Sequence, residues 1–152
     1  MKKMNNKGFS LVELIIVIAI MAILIVVLAP QYLKYVERGR NSTDLQNATE
    51  IVTAIQVYAA DPEANPAFTT GDKFEIEFPA NAAANFKTAN AAAQKALTEA
   101  AITIGDMKCT SKTKWSTFTI AGEVQPDGSI EFTYTSTPAN AFSDAMNGNS
   151  GT

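Results

Sequence analysis

Glu13 is the first residue whose type and place raise a chemical question. It lies near the start of residues 8–30, GFSLVELIIVIAIMAILIVVLAP, where only Ser10 and Glu13 are polar between Phe9 and Ala29. A carboxylate in a hydrocarbon layer costs roughly 2.5–3.5 kcal/mol at the centre and less near an end. Two explanations stand on spacing alone: a partner charge, or a position shallow enough to stay hydrated. Cys109 is the other reactive group. Lys108 and Lys112 flank it and could lower its pKa, although a buried, idle thiol is the preferred reading. As the single cysteine, it can form no intrachain disulfide. The chain has no histidine, which removes imidazole acid/base chemistry and ligation. Asp127, and Asp144 with Asn147 and Asn149, offer the oxygen donors calcium takes, but turn residues are expected there first. Tyr32, Tyr35 and Tyr58 read as packing and interface residues. No glycine-rich phosphate loop and no nucleophile with a recognisable base occurs, so no catalytic residue, metal or cofactor is expected.

The element that holds Glu13 comes next. The 21 residues from Phe9 to Ala29 are long enough to cross a hydrocarbon core of about 30 Å as a helix. Beyond Pro30 no comparable run exists. The chain carries 12 basic and 15 acidic residues; Lys2, Lys3 and Lys7 precede Gly8, and removing them leaves nine against fifteen, a net charge of −6. Such a body is a poor default binder of nucleic acid, which needs clustered Lys and Arg. A basic head before an apolar run marks a targeting segment. It is overlong for a cleaved secretory signal, and a cut after Val27-Leu28-Ala29 would leave Pro30 at the new terminus. A plain uncleaved anchor explains the length and gives no reason for Glu13.

Lys7-Gly8-Phe9-Ser10-Leu11-Val12-Glu13 resembles the processing motif of type IV prepilins and related pseudopilins, and the likeness runs on through Pro30 to about Ala60. The resemblance implies that a prepilin peptidase cuts after Gly8 on the cytoplasmic side and N-methylates Phe9. It implies a leader over 1–8, a long helix over 9–60 with 9–30 as membrane span and filament core, and a head over 61–152. It also implies that Glu13 meets the terminal amine of a neighbouring subunit. Charges that each lose hydration offset much of that loss by pairing, so such a pair serves as a register device. Related heads often close a C-terminal loop with a disulfide, which this chain cannot form.

The rest of the stem fits that layout. From Phe9 to about Ala60 no residue stops a helix until Asp61-Pro62, so 52 residues would give about 78 Å of helix. Leu45, Ala48, Ile51, Val52, Ile55, Tyr58 and Ala59 form one stripe at helical spacing; Thr43, Asp44, Gln46, Asn47 and Glu50 fall on the other face. Pro30 forfeits the bond to Val26 and Gly39 costs about 1 kcal/mol. The resemblance implies a helix that can unwind before Pro30 on assembly, so Val26–Pro30 is expected to curve in the subunit and partly melt in a filament. Lys34, Glu37, Arg38 and Arg40 read as a solvated collar touching head groups.

The head is expected to be small and mixed. Residues 61–66, DPEANP, break the stem. Phe74–Phe78 alternates as a strand stopped by Pro79. Asn81–Ala101, with ten alanines, reads as a helix, whole or in two pieces, packing through Phe86, Ala93, Leu97 and Ala100. Ile102–Ile104 adds a strand or a link. Trp115–Ile120 and Ile130–Thr135 form strands joined by a tight turn at 124–128, burying Phe118, Ile120, Phe132 and Tyr134 against the stem. Ala141–Thr152 reads as a mobile tail or surface strap. The fold class is α+β: a long N-terminal helix and an antiparallel sheet of three or four strands, the pilin fold.

The expected function is a structural filament subunit, not an enzyme. It would be stored as a single-pass protein of the cytoplasmic membrane, N-terminus inside, then polymerised into a helical homo-oligomer on the cell surface for motility, adhesion, aggregation or DNA uptake. The implied partners are prepilin peptidase, an assembly platform and motor ATPases, with DNA touched indirectly if at all. A type II secretion or competence pseudopilin is the alternative within the family. An uncleaved, signal-anchored monomeric binding module is the alternative outside it.

Overall fold

The computed structural model describes residues 8–61, 63–64 and 66–148. Residues 1–7 of the expected leader, Pro62 and Asn65 of the expected break, and residues 149–152 of the tail lie outside the described residues. Two compact units divide the chain, Met1–Val36 and Glu37–Thr152.

Helix α1, Leu11–Ala59, is 49 residues long. Its apolar part is long and apolar enough to cross a membrane. Every described side chain from Gly8 to Tyr35 is exposed, as suits a surface whose solvent is lipid or other helices. The helix continues through Pro30: one lost donor does not stop it when the turns on both sides keep their own bonds. Gly39 is likewise passed without a break, and Thr43 Oγ1 donates to its carbonyl at 3.0 Å.

The second unit is built on the C-terminal half of α1. Ala48, Ile51, Ile55 and Tyr58 are buried, while Leu45 and Val52 pack at the margin. They face an antiparallel sheet of order β2-β1-β3-β4, comprising β1 Lys73–Phe78, β2 Asn85–Thr88, β3 Thr117–Val124 and β4 Ile130–Thr137. Phe74, Ile76, Phe78, Phe118 and Ile120 are buried; Phe132 and Tyr134 are half-buried against the same core. The turn at 124–128 forms as expected. Gln125 N–H donates to Ser129 O at 2.8 Å, and Gly128 takes a φ of 84°, which glycine adopts without strain.

Three expectations need correction. The first half of Asn81–Ala101 is not helical: Asn85–Thr88 is β2, paired to β1 with Phe86 opposite Ile76. A cross-strand ion pair, Lys87 Nζ to Glu75 Oε1 at 2.9 Å, supports it. Helix α2 is confined to Ala91–Glu99 because Asn90 caps it, accepting from Ala93 N–H at 3.1 Å. Ala93 and Leu97 are buried on α2, whereas Ala100 is its exposed C-cap. Of the two forms expected for Ile102–Ile104, strand or link, it takes the link, leading into a single 3-10 turn, Ile104–Asp106. The third strand starts at Thr117 rather than Trp115 and runs on to Val124, since Trp115 is engaged in a loop. The tail is no loose strap over its described part: Ala141–Met146 is helix α3. Its Phe142 is fully buried, stacking on Phe118 at 4.0 Å with Trp115 edge-on at 5.1 Å.

Candidate functional site

Two constellations carry the polar chemistry, one in each unit. The first is the start of α1. Ser10 precedes the helix, and its hydroxyl accepts from Val12 N–H at 3.3 Å. Glu13 Oε2 accepts in return from Ser10 N–H at 2.9 Å. Ser-x-x-Glu with this reciprocal bonding is a capping box, which satisfies helix-start donors that have no partner within the helix. In an apolar setting those donors would have no water to turn to. Glu13 therefore has a local partner besides any external charge. Gly8 and Phe9 precede this cap with open space around them: nothing stands within 4 Å of a side chain placed at Gly8, and Phe9 is 91% exposed. Among the described residues, nothing packs on Gly8 and Phe9 is exposed.

The second constellation was invisible as such in the sequence. Asp44, expected on the solvent face of α1, has no exposed surface at all. One carboxylate oxygen, Oδ1, accepts from Thr110 N–H at 2.8 Å and Thr110 Oγ1 at 2.7 Å. The other, Oδ2, accepts from Ser111 N–H at 2.9 Å and Trp115 Nε1 at 2.8 Å, with the Cys109 thiol at 3.7 Å. Buried polar groups are tolerated when so satisfied.

Two turns earlier on the same helix, Glu37 corrects the reading of the charged collar as a solvated face. Its Oε1 accepts from Lys112 N–H, Thr113 N–H at 2.8 Å and Ser111 Oγ at 3.0 Å. Its Oε2 meets Arg40 at 3.3 Å. Burial pushes this carboxyl up, but the amides of Lys112 and Thr113 and the Ser111 hydroxyl outweigh it and hold the pKa at about 2. Residues seven apart lie nearly above one another on a helix, so Glu37 and Asp44 pin one loop, residues 109–115, along one side of α1.

That arrangement decides Cys109. The flanking lysines do not activate it. Burial and the neighbouring Asp44 carboxylate push its thiol up to about 12, and it is buried, so it is an inert packing residue. Asp127 acts as a turn residue, Oδ1 accepting from Ser129 N–H at 3.0 Å and Ser129 Oγ at 2.7 Å. Asp144 lies in α3, and Asn149 lies outside the described residues. Tyr58 is buried with its hydroxyl donating to Pro66 O at 2.9 Å; Tyr32 and Tyr35 are exposed on α1. The signal for the loop clamp was present in Asp44, an acid one residue before Leu45 at the head of the apolar stripe, and in the lone tryptophan that needs a polar partner.

Comparison with known proteins agrees with the N-terminal reading. Residues 3–29 match the family model of the prokaryotic N-terminal methylation motif. A type IV major fimbrial protein, FimA of Dichelobacter nodosus, is 39% identical over 59 residues, 39% of this chain and 38% of the relative. Prepilin peptidase-dependent protein A of Clostridium perfringens (strain 13 / Type A) is 37% identical over 60 residues, 39% of this chain and 43% of that protein. The chain thus aligns with about two fifths of each relative's length, and no solved structure matches it. The N-terminal segment of this chain thus carries the prokaryotic N-terminal methylation motif and is similar to the corresponding segments of type IV fimbrial and prepilin peptidase-dependent proteins.

Proposed function

We propose that the chain is a structural subunit of a type IV pilus, kept in the membrane as a precursor, processed between Gly8 and Phe9, N-methylated at Phe9 and polymerised into a surface filament. The observation that carries this reading is Glu13 placed behind Gly8-Phe9 within a matched methylation motif. The open surroundings of Gly8 and the exposure of Phe9 support access by a prepilin peptidase.

In the precursor Glu13 is engaged by Ser10 N–H. After cleavage a terminal amine stands four residues before Glu13, and in a filament the amine of one subunit meets Glu13 of the next. Misregistered subunits would leave both charges desolvated and unpaired, an outcome costing several kcal/mol. The wholly exposed apolar face from Leu11 to Tyr35 exchanges lipid for neighbouring stems on assembly. The turn before Pro30 already lacks one bond, and we place the helix unwinding expected on assembly there. Assembly platform and motor ATPases are supplied by the cell.

Mass spectrometry of the mature chain is the test: N-methyl-Phe9 is expected, and an intact Met1 would replace this reading with that of an uncleaved, signal-anchored module. Glu13→Gln removes the charge while keeping shape and capping acceptors; the expected result is at least tenfold fewer fibres by electron microscopy. Normal fibre number in that variant rules out the charge-matching mechanism.

A further inference from the structure

The second unit carries opposite charges at two separated places. At one, Arg40, Lys108 and Lys112 line a groove of about 650 Å³ together with Thr43 and Asn81, and Lys114 follows on the same loop. The loop is fixed by Asp44 and Glu37, so these lysines project from a pinned scaffold. Within the cluster Glu37 is committed to Arg40 and to the loop amides. Among the described residues no ion pair engages Lys108 or Lys112.

At the other place a groove of about 310 Å³ runs between α1 and α2, lined by Ala54, Val57, Asp61, Ala96, Glu99 and Ala100 among others. Its carboxylates are Asp61 and Glu99, with exposed Glu63 two residues after Asp61. Among the described residues, the one ion pair of Glu99 is an exposed contact with Lys95, at 3.4 Å. The floor is small and apolar, and Val57 on it is 68% exposed. Such a groove suits a lysine: the alkyl stem lies on alanine and valine while the ammonium reaches the acids.

We infer that the lysine loop of one copy, through Lys108 and Lys112, docks into the Asp61–Glu99 groove of a second copy of this chain. The inference rests on the filament reading above and adds the head-to-head contact to it. Arg40 and Val57 mark the two grooves on α1 and stand about 25 Å apart along its axis. Two different patches that complement one another make a heterologous contact, which propagates instead of closing as a symmetric dimer does. Opposed potentials also fix register and suppress wrong partners.

Charge reversal in the full chain, produced in a fibre-forming cell, tests it. Lys108→Glu with Lys112→Glu, or Asp61→Lys with Glu99→Lys, is expected to reduce fibre yield at least tenfold, and the four changes together to restore it to within threefold. Protection of Cys109 from alkylation in the membrane-held precursor reports that each variant is folded. Unchanged fibres in a folded one-sided variant, or no recovery in the fourfold variant, overturn the docking and leave the filament reading intact. Absence of fibres from the unaltered chain removes the filament reading itself. If a reversed chain does not fold, Lys108→Gln with Lys112→Gln serves: unaltered fibres are expected to shorten as salt rises, and those of the neutral variant to be insensitive. Equal salt dependence of the two overturns the docking.

Discussion

Single residues here are decided by what accepts their hydrogen bonds. Glu13 caps its own helix, so its substitution has two consequences that can be separated. Ser10→Ala removes the hydroxyl arm of the box and is expected to loosen the first turn of α1 by about 1 kcal/mol, read as faster amide exchange at Val12, with processing at Gly8 unaffected. Asp44→Ala strands the Trp115 indole N–H and the amides of Thr110 and Ser111 in a dry site. Each unsatisfied group costs about 1–3 kcal/mol, so the expected loss is at least 3 kcal/mol in a urea titration in detergent micelles, accompanied by rapid Cys109 alkylation. Glu37 supplies a pH signature. Its folded-state pKa lies below the ordinary carboxylate value, from 4.5 down to about 2, so it contributes stability that is present above pH 4.5 and is lost as pH falls toward 2. The urea midpoint is expected to drop across that window, and Glu37→Gln is expected to lower the midpoint at neutral pH while flattening its acid dependence.

At the scale of elements, the sheet and its covering helices depend on two close approaches. Gly122 lies opposite Phe74 in the β1–β3 ladder, and a methyl group there would overlap the Phe74 ring. Gly122→Ala is expected to destabilise the head by about 1–3 kcal/mol, and Phe74→Leu in the same chain to recover part of that loss in the same urea titration. The short helix α3 has one fully buried residue, Phe142, with Ala141, Ala145 and Met146 packed at the margin of the core. Phe142 completes a stack of rings with Phe118, which itself stacks on Phe78 at 4.2 Å. Phe142→Ala is expected to cost about 3–5 kcal/mol, a surprising penalty for a segment whose sequence, rich in Asn, Ser, Gly and Ala, reads as tail.

For the molecule as a whole, a body with no intrachain disulfide keeps its 109–115 loop by carboxylates instead. Both anchors stand on α1, the helix that also brings the membrane-length apolar run and the core stripe. The helix that would be buried in a filament is thus the same one that organises the head. Under the proposed filament reading, substitutions at Glu37 or Asp44 are expected to lower fibre yield only as far as they lower stability.

The sequence by itself determined what depends on local order along the chain. It identified the motif around Gly8 and Glu13, the apolar span, the amphipathic stripe from Leu45 to Tyr58, the strand at Phe74–Phe78 and the hairpin turn at Gly128, because periodicity and turn chemistry act between near neighbours. Only the tertiary structure decided where Asp44 and Glu37 point, that Asn85–Thr88 pairs as a strand and that Phe142 is core. Those outcomes rest on groups more than sixty residues away for the carboxylates, on β1 for the strand and on Phe118 for the ring. No helical or strand period encodes a partner that distant: an acid on α1 looks solvated until a loop brings amides to it.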